Sequence, residues 1–209
     1  NDAGRVVGWY SAGPVRAFTW SEERGMCALG VLTGTGSSRA YAISNAGVAA
    51  GWAQTATGPT AVAWDEAGNM QIIGRLLTDD ERSYAYGIND AGQVVGVATT
   101  TPGFGSNHPA LWSGSTTTEL GTLGGTYGEA RSINNAGQVV GYSATTIGTQ
   151  HATLWNGSTT TDLGTLGGTY SGAQGINNSG QVVGWSYTTG NGPSHATFWN
   201  GSTATDLGT

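Results

Sequence analysis

Apolar positions along this chain fall in short alternating runs, each closed by Gly, Asn or Ser, and none is long enough or helically spaced enough to predict a helix. The runs recur. The string INNAGQVVG at 133–141 returns as INNSGQVVG at 176–184 and INDAGQVVG at 88–96, with a weaker copy, ISNAGVAAG, at 43–51 and a partial one, NDAGRVVG, at 1–8. The turn glycines Gly4, Gly47, Gly92, Gly137 and Gly180 are spaced by 43, 45, 45 and 43 residues. Behind each copy comes a block ending in Trp20, Trp64, Trp112, Trp155 or Trp199, and then a Thr-rich segment such as TTTDLG.

Each repeat therefore predicts four short strands, a to d. Strand a is the AxxI segment, b is QVVGx, c is the HATLW block and d is TTTDLG. The Asn-Asn-Ala-Gly between a and b predicts a tight turn with Gly in the left-handed region. Asn-Gly between c and d (Asn156-Gly157, Asn200-Gly201) is a strong hairpin signal. Two hairpins joined by a longer b–c loop make an antiparallel four-stranded unit, with the period of a propeller blade, roughly 40–45 residues. Five units predict one all-β domain over 1–209, a five-bladed β-propeller with repeats at about 1–32, 33–77, 78–123, 124–166 and 167–209. Strands b, c and d occur five times and strand a only four, so nineteen strands are expected, with the first blade lacking one.

Composition changes this picture little. The 37 Gly, 30 Thr and 17 Ser follow from repeated turns and outer strands. Seven Arg, no Lys and a net charge of −6 leave no basic stripe for nucleic acid. No apolar stretch reaches the roughly 18 residues of a membrane span. The single Cys27 forms no internal disulfide, so packing must supply the stability. A chain opening in mid-motif at Asn1 reads as a processed or excised segment.

The run INNAGQVVG, HATLW, DLGTLGGTYS resembles the HAF-type bacterial extracellular repeat family over essentially all 209 residues, the third to fifth repeats best. Arg16 and Thr60 depart from it where His108, His151 and His195 stand. The resemblance implies a secreted or cell-surface location and a propeller-like fold, but no activity and no catalytic residues.

Length variation points to a binding face. From the strand-b Gly to the strand-c Trp the five intervals are 12, 13, 16, 14 and 15 residues, whereas the a–b turn spacing is constant. The b–c loops (99–107, 144–150, 187–194) share one face with the d–a connectors carrying Tyr127 and Tyr170. Loops on a rigid scaffold commonly carry binding. The residue after the strand-b Gly varies among Trp9, Trp52, Val97, Tyr142 and Trp185 beside those loops. Trp9, Trp52, Tyr142, Trp185, Tyr127 and Tyr170 are thus the candidate ligand-binding residues, for sugar stacking, although packing between blades is an open alternative for the strand-b set.

Other chemistry is weaker. Ring geometry would hold the three His apart, so each is expected to bond a neighbouring turn, and no metal site or cofactor is expected. The strand-c Trp, present in every repeat, is expected to pack between blades. Asn1-Asp2 and Asn89-Asp90 lack a calcium-loop spacing and read as turns. A glycoside hydrolase would need two converging carboxylates. Strand a supplies only Glu129, beside Arg131, while Glu119, Asp162 and Asp206 repeat at strand d, and Asp79, Asp80 and Glu81 cluster in one connector. The expected function is therefore a non-catalytic binding or adhesion module for glycans or other cell-surface polymers. The alternative is a structural building block or spacer that self-associates through an open strand edge.

Overall fold

A computed structural model describes residues 1–11, 13–34, 36–73, 82–99, 107–201 and 203–209. The acidic cluster Asp79, Asp80 and Glu81, most of the 99–107 loop and Ser202 lie outside them.

The described residues form nineteen strands in five antiparallel sheets. The first sheet has three strands, β1 (Val6–Ser11), β2 (Val15–Ser21) and β3 (Gly25–Ala28). The second runs β4 (Ser38–Ile43), β5 (Ala49–Gln54), β6 (Pro59–Trp64) and β7 (Met70–Ile72). The third runs β8 (Ser83–Ile88), β9 (Val94–Thr99), β10 (Asn107–Ser113) and β11 (Thr116–Glu119). The fourth runs β12 (Gly124–Ile133), β13 (Val139–Thr145), β14 (Gln150–Asn156) and β15 (Thr159–Asp162). The fifth runs β16 (Gly167–Ile176), β17 (Gln181–Thr188), β18 (Ser194–Asn200) and β19 (Thr203–Asp206). In all five, neighbours in sequence are neighbours in the sheet, and strands β4, β8, β12 and β16 touch in succession as the innermost strands.

Two departures from the expected boundaries matter. In the fourth and fifth sheets the GGTY connectors are not loops: they lengthen β12 and β16 to ten residues, placing Tyr127 and Tyr170 on strands. Every inner strand is also bulged, at 40/42, 85/87, 130/132 and 173/175. The bulge explains the Gly of each VVG. A Cβ on Gly51, Gly96 or Gly141 would stand 1.9 Å from the carbonyl oxygen of Arg39, Tyr84 or Glu129, so only Gly lets the two strands close. Gly8 faces no inner strand, and its Cβ would meet the Phe18 ring instead.

The core is divided among the junctions between consecutive sheets. Each junction takes the second residue of the VV pair from the earlier sheet. It takes the first residue of that pair and the strand-c Trp from the later one, as Val140, Ala152 and Leu163 meet Ala173, Val182 and Trp199. Trp64, Trp112, Trp155 and Trp199 are fully buried in this way, as inter-blade packing predicts. Trp20, with no earlier sheet against it, is exposed. The outward faces of the first and last sheets stay open to solvent, so among the described residues the ring expected from five units is not closed.

The a–b turns are stapled to one another. Asp2 N–H donates to Asn45 Oδ1, Asn45 N–H to Asp90, Asp90 N–H to Asn135 Oδ1 and Asn135 N–H to Asn178 Oδ1. Asn89 and Asn134 side chains donate to the next turn's backbone in the same sense. These turns are structural joints.

Candidate functional site

The strand-b aromatics stand mid-strand rather than at the loop tips, and Trp9 and Trp52 reach the next sheet's inner strand. Trp9 packs edge-on against Tyr41 of β4 at 5.5 Å, and Tyr41 against Tyr86 of β8 at 5.6 Å. Trp52 meets Tyr84 at 6.0 Å and donates its indole N–H to the Tyr41 hydroxyl at 3.2 Å. Tyr84 and Tyr86 stack nearly parallel, 6.2 Å apart. Alternation in the inner strands places Arg39 and Tyr41, Tyr84 and Tyr86, and Glu129 and Arg131 in this one layer.

Two guanidinium groups are set into it. Arg131 lies 4.7 Å over the Tyr86 ring and 5.7 Å from that of Tyr142, and its Nη2 is 2.6 Å from Glu129. Arg39 lies 5.1 Å over Trp9 and 5.8 Å from Trp52. Arg131 has its counter-charge. Arg39 has no carboxylate and no hydrogen-bond acceptor among the described residues, and its Nε is buried and unpartnered. A half-buried guanidinium between two indole rings is attracted by their faces, yet its donor fork is left for something else.

Burial, then the Glu129 charge, pushes the Tyr142 hydroxyl up to about 12 and raises Tyr86 as well; burial raises Tyr84. All three phenols are therefore neutral hydrogen-bond donors across the physiological range.

Of the six candidates, Trp9, Trp52 and Tyr142 belong to this layer. Trp9, 46% exposed, is its most open ring. Trp185 and Tyr170 form a separate group at the last sheet, joined through Tyr187 at 5.9 and 6.0 Å. Tyr127 is half-buried and joins neither. Sequence reading missed Arg39, Tyr41, Tyr84 and Tyr86. The signal was present in the alternation of β4 and β8, where charged and aromatic residues occupy the positions that hold Gly172 and Gln174 in the last inner strand.

The histidines do not bond a turn. His108 pairs with Glu119, His151 Nδ1 with Asp162 at 2.7 Å and His195 Nδ1 with Asp206 at 2.8 Å, each across strands c and d of its own sheet. The strand-d carboxylates thus pair with strand c while remaining exposed to solvent. Among the described residues no cluster of three His, Cys, Asp or Glu could hold a metal. A cleft of about 440 Å³ lies at the opposite, turn-bearing end of the first two sheets, lined by Arg5, Trp20, Arg24, Asn45 and Glu66, and contains none of the six candidates.

Five sequential antiparallel sheets with inner strands converging define a propeller-type all-β protein. Solved structures agree. The chain is similar to TolB from Acinetobacter baumannii, with a TM-score of 0.69 at 13% identity, covering 98% of this chain and 53% of that one. It is also similar to a protein named as a TolB from Agrobacterium tumefaciens, with a TM-score of 0.65 at 13% identity, covering 96% of this chain and 76% of that one. The chain spans about half the length of the first of these, and at such identity the likeness is one of fold alone. No family model and no curated protein matches the sequence.

Proposed function

We propose that the chain is a five-bladed propeller of the HAF repeat type, its first blade short of an inner strand. It works at the cell surface or outside the cell as a non-catalytic module that binds glycans carrying acidic groups. The observation that carries this reading is Arg39, held between Trp9 and Trp52 with no counter-charge and no acceptor among the described residues. Aromatic faces suit the C–H surface of a sugar ring, and a guanidinium fork suits a carboxylate or sulfate. The neutral Tyr hydroxyls add donors. Against catalysis, Glu129 is engaged by Arg131, and the other carboxylates that pair with His lie on outer strands of separate sheets. No helix among the described residues is long and apolar enough to cross a membrane.

Calorimetric titration with uronate-bearing and neutral oligosaccharides tests this. Binding of the acidic set, weakened at least tenfold by Arg39→Ala and by Trp9→Ala, is expected. No binding to any saccharide, or binding indifferent to both substitutions, overturns it.

A further inference from the structure

Every sheet has two different faces, and the junctions use them in one fixed order. The face turned toward the following sheet carries the second residue of the VV pair, the residue three before the strand-c Trp, and the Leu or Ile after strand d. These are Val95, Pro109 and Leu120 in the third sheet, and Val140, Ala152 and Leu163 in the fourth, all buried. The face turned toward the preceding sheet carries the first residue of the pair, the Trp, and the strand-d residue opposite the Trp.

The two end sheets each leave one of these faces bare. In the last sheet Val183 is 48% and Leu207 60% exposed, and Ala196 is exposed with them. In the first sheet Val6 is 49%, Trp20 41% and Met26 59% exposed, although the Val and Trp counterparts elsewhere are at 3% or less. The bare faces are the two halves of the junction that the chain already builds internally.

Polar details match as well. At two of the four joints, Trp64 and Trp155 donate their indole N–H to the carbonyls of Gly30 and Gly121, each the residue after the Leu at the end of the preceding sheet; the Trp112 and Trp199 N–H groups have no partner among the described residues. Gly208 follows Leu207 in the same way. The turn series Asp2, Asn45, Asp90, Asn135, Asn178 ends with an Asn178 N–H that has no acceptor among the described residues, and begins with Asp2, whose Oδ1 is the group such a donor meets at each internal joint. Internally, the Ala17, Ala61 and Ala152 N–H groups donate to a Ser on the next inner strand. Ala196 N–H is satisfied within its own sheet by the Gly208 carbonyl, so this face asks for no inner strand, and the first sheet has none.

We propose that this protein associates head to tail, the Trp20 face of one copy seating on the Val183–Ala196–Leu207 face of another, with Trp20 donating to the Gly208 carbonyl. The contact is between sheet faces, not the strand-edge pairing expected from the missing strand. Because it joins two different surfaces, it propagates into closed rings or filaments rather than stopping at a twofold dimer.

Sedimentation velocity of the full chain over a wide concentration range is the test. Growth from monomer through dimer to larger species is expected. Trp20→Arg and Val183→Arg each disable one face; both positions are exposed, so both variants should keep the wild-type circular dichroism and a cooperative melt. Each alone should remain monomeric, and an equimolar mixture should give a 1:1 dimer that grows no further, since one intact face of each kind remains. A wild-type chain monomeric up to millimolar concentration, association unaffected by either substitution, or a mixture that stays monomeric overturns the proposal. So does intramolecular cross-linking of a Trp20→Cys, Leu207→Cys pair in a Cys27→Ser background at high dilution, which would show the two ends closing on each other.

Discussion

At the residue scale, a few positions carry constraints far larger than their size. Gly141 sits against the Glu129 carbonyl with no room for a methyl group, so Gly141→Ala must push β12 and β13 apart. A loss of about 1–3 kcal/mol is expected, as for other overpacked sites. Gly8→Ala should cost less, because a Cβ there meets a side-chain ring that can turn. Paired thermal melts of the two variants check the difference. Asp90 is held below the ordinary carboxylate value of 3.8, first by the Asn45 N–H and then by the Asn135 side chain. Asp206 is lowered by the Gly208 N–H and then by His195. A depressed carboxylate contributes its stabilisation above the unfolded pKa and loses it as pH falls through the folded value. Stability should therefore decline below about pH 4. Asp90→Asn can keep the Asn45 N–H bond to Oδ1 but loses the bonds that Oδ2 accepts from the Asn45 and Asn135 amides, so it should melt lower at pH 6 and flatten part of that decline in melts followed from pH 6 to pH 2.

At the scale of elements, the strand-c Trp separates inner junctions from ends. Trp155→Ala should cost about 3–5 kcal/mol, the range for a fully buried aromatic. Trp20→Ala should cost a dilute monomer well under half of that, because Trp20 is 41% exposed; denaturant titration of both variants measures the gap. The strands and their order were legible in the sequence because period-two runs and Gly turns repeat five times, each copy correcting the next. The length of β12 and β16 was not, since GGTY looks like a connector until Gly124 is seen paired with Thr145 and Gly167 with Thr188. The site was half legible. Trp9, Trp52 and Tyr142 stood out as variable positions beside a fixed Gly. Arg39, Tyr41, Tyr84 and Tyr86 did not, because alternation puts each pair on one face of its strand but does not say that the two strands' faces meet across a sheet junction.

For the whole molecule, stability resides in joints between neighbours, as in a linear repeat array. Amide exchange of the dilute protein should then be slowest in β5, β9 and β13 and faster in β1 and β17, whose sheets are each covered on one side only. Uniform protection across all five strands would contradict this. The joints have one more consequence. Because every sheet offers one face of each kind, a repeat of 43 to 45 residues duplicated or deleted in frame leaves each remaining joint with its usual partner and both ends unchanged. Chain length is then a quantity that duplication can adjust one unit at a time without redesigning a core. The near-identity of the last three repeats beside the drift of the first two is the pattern that recent copying at one end would leave.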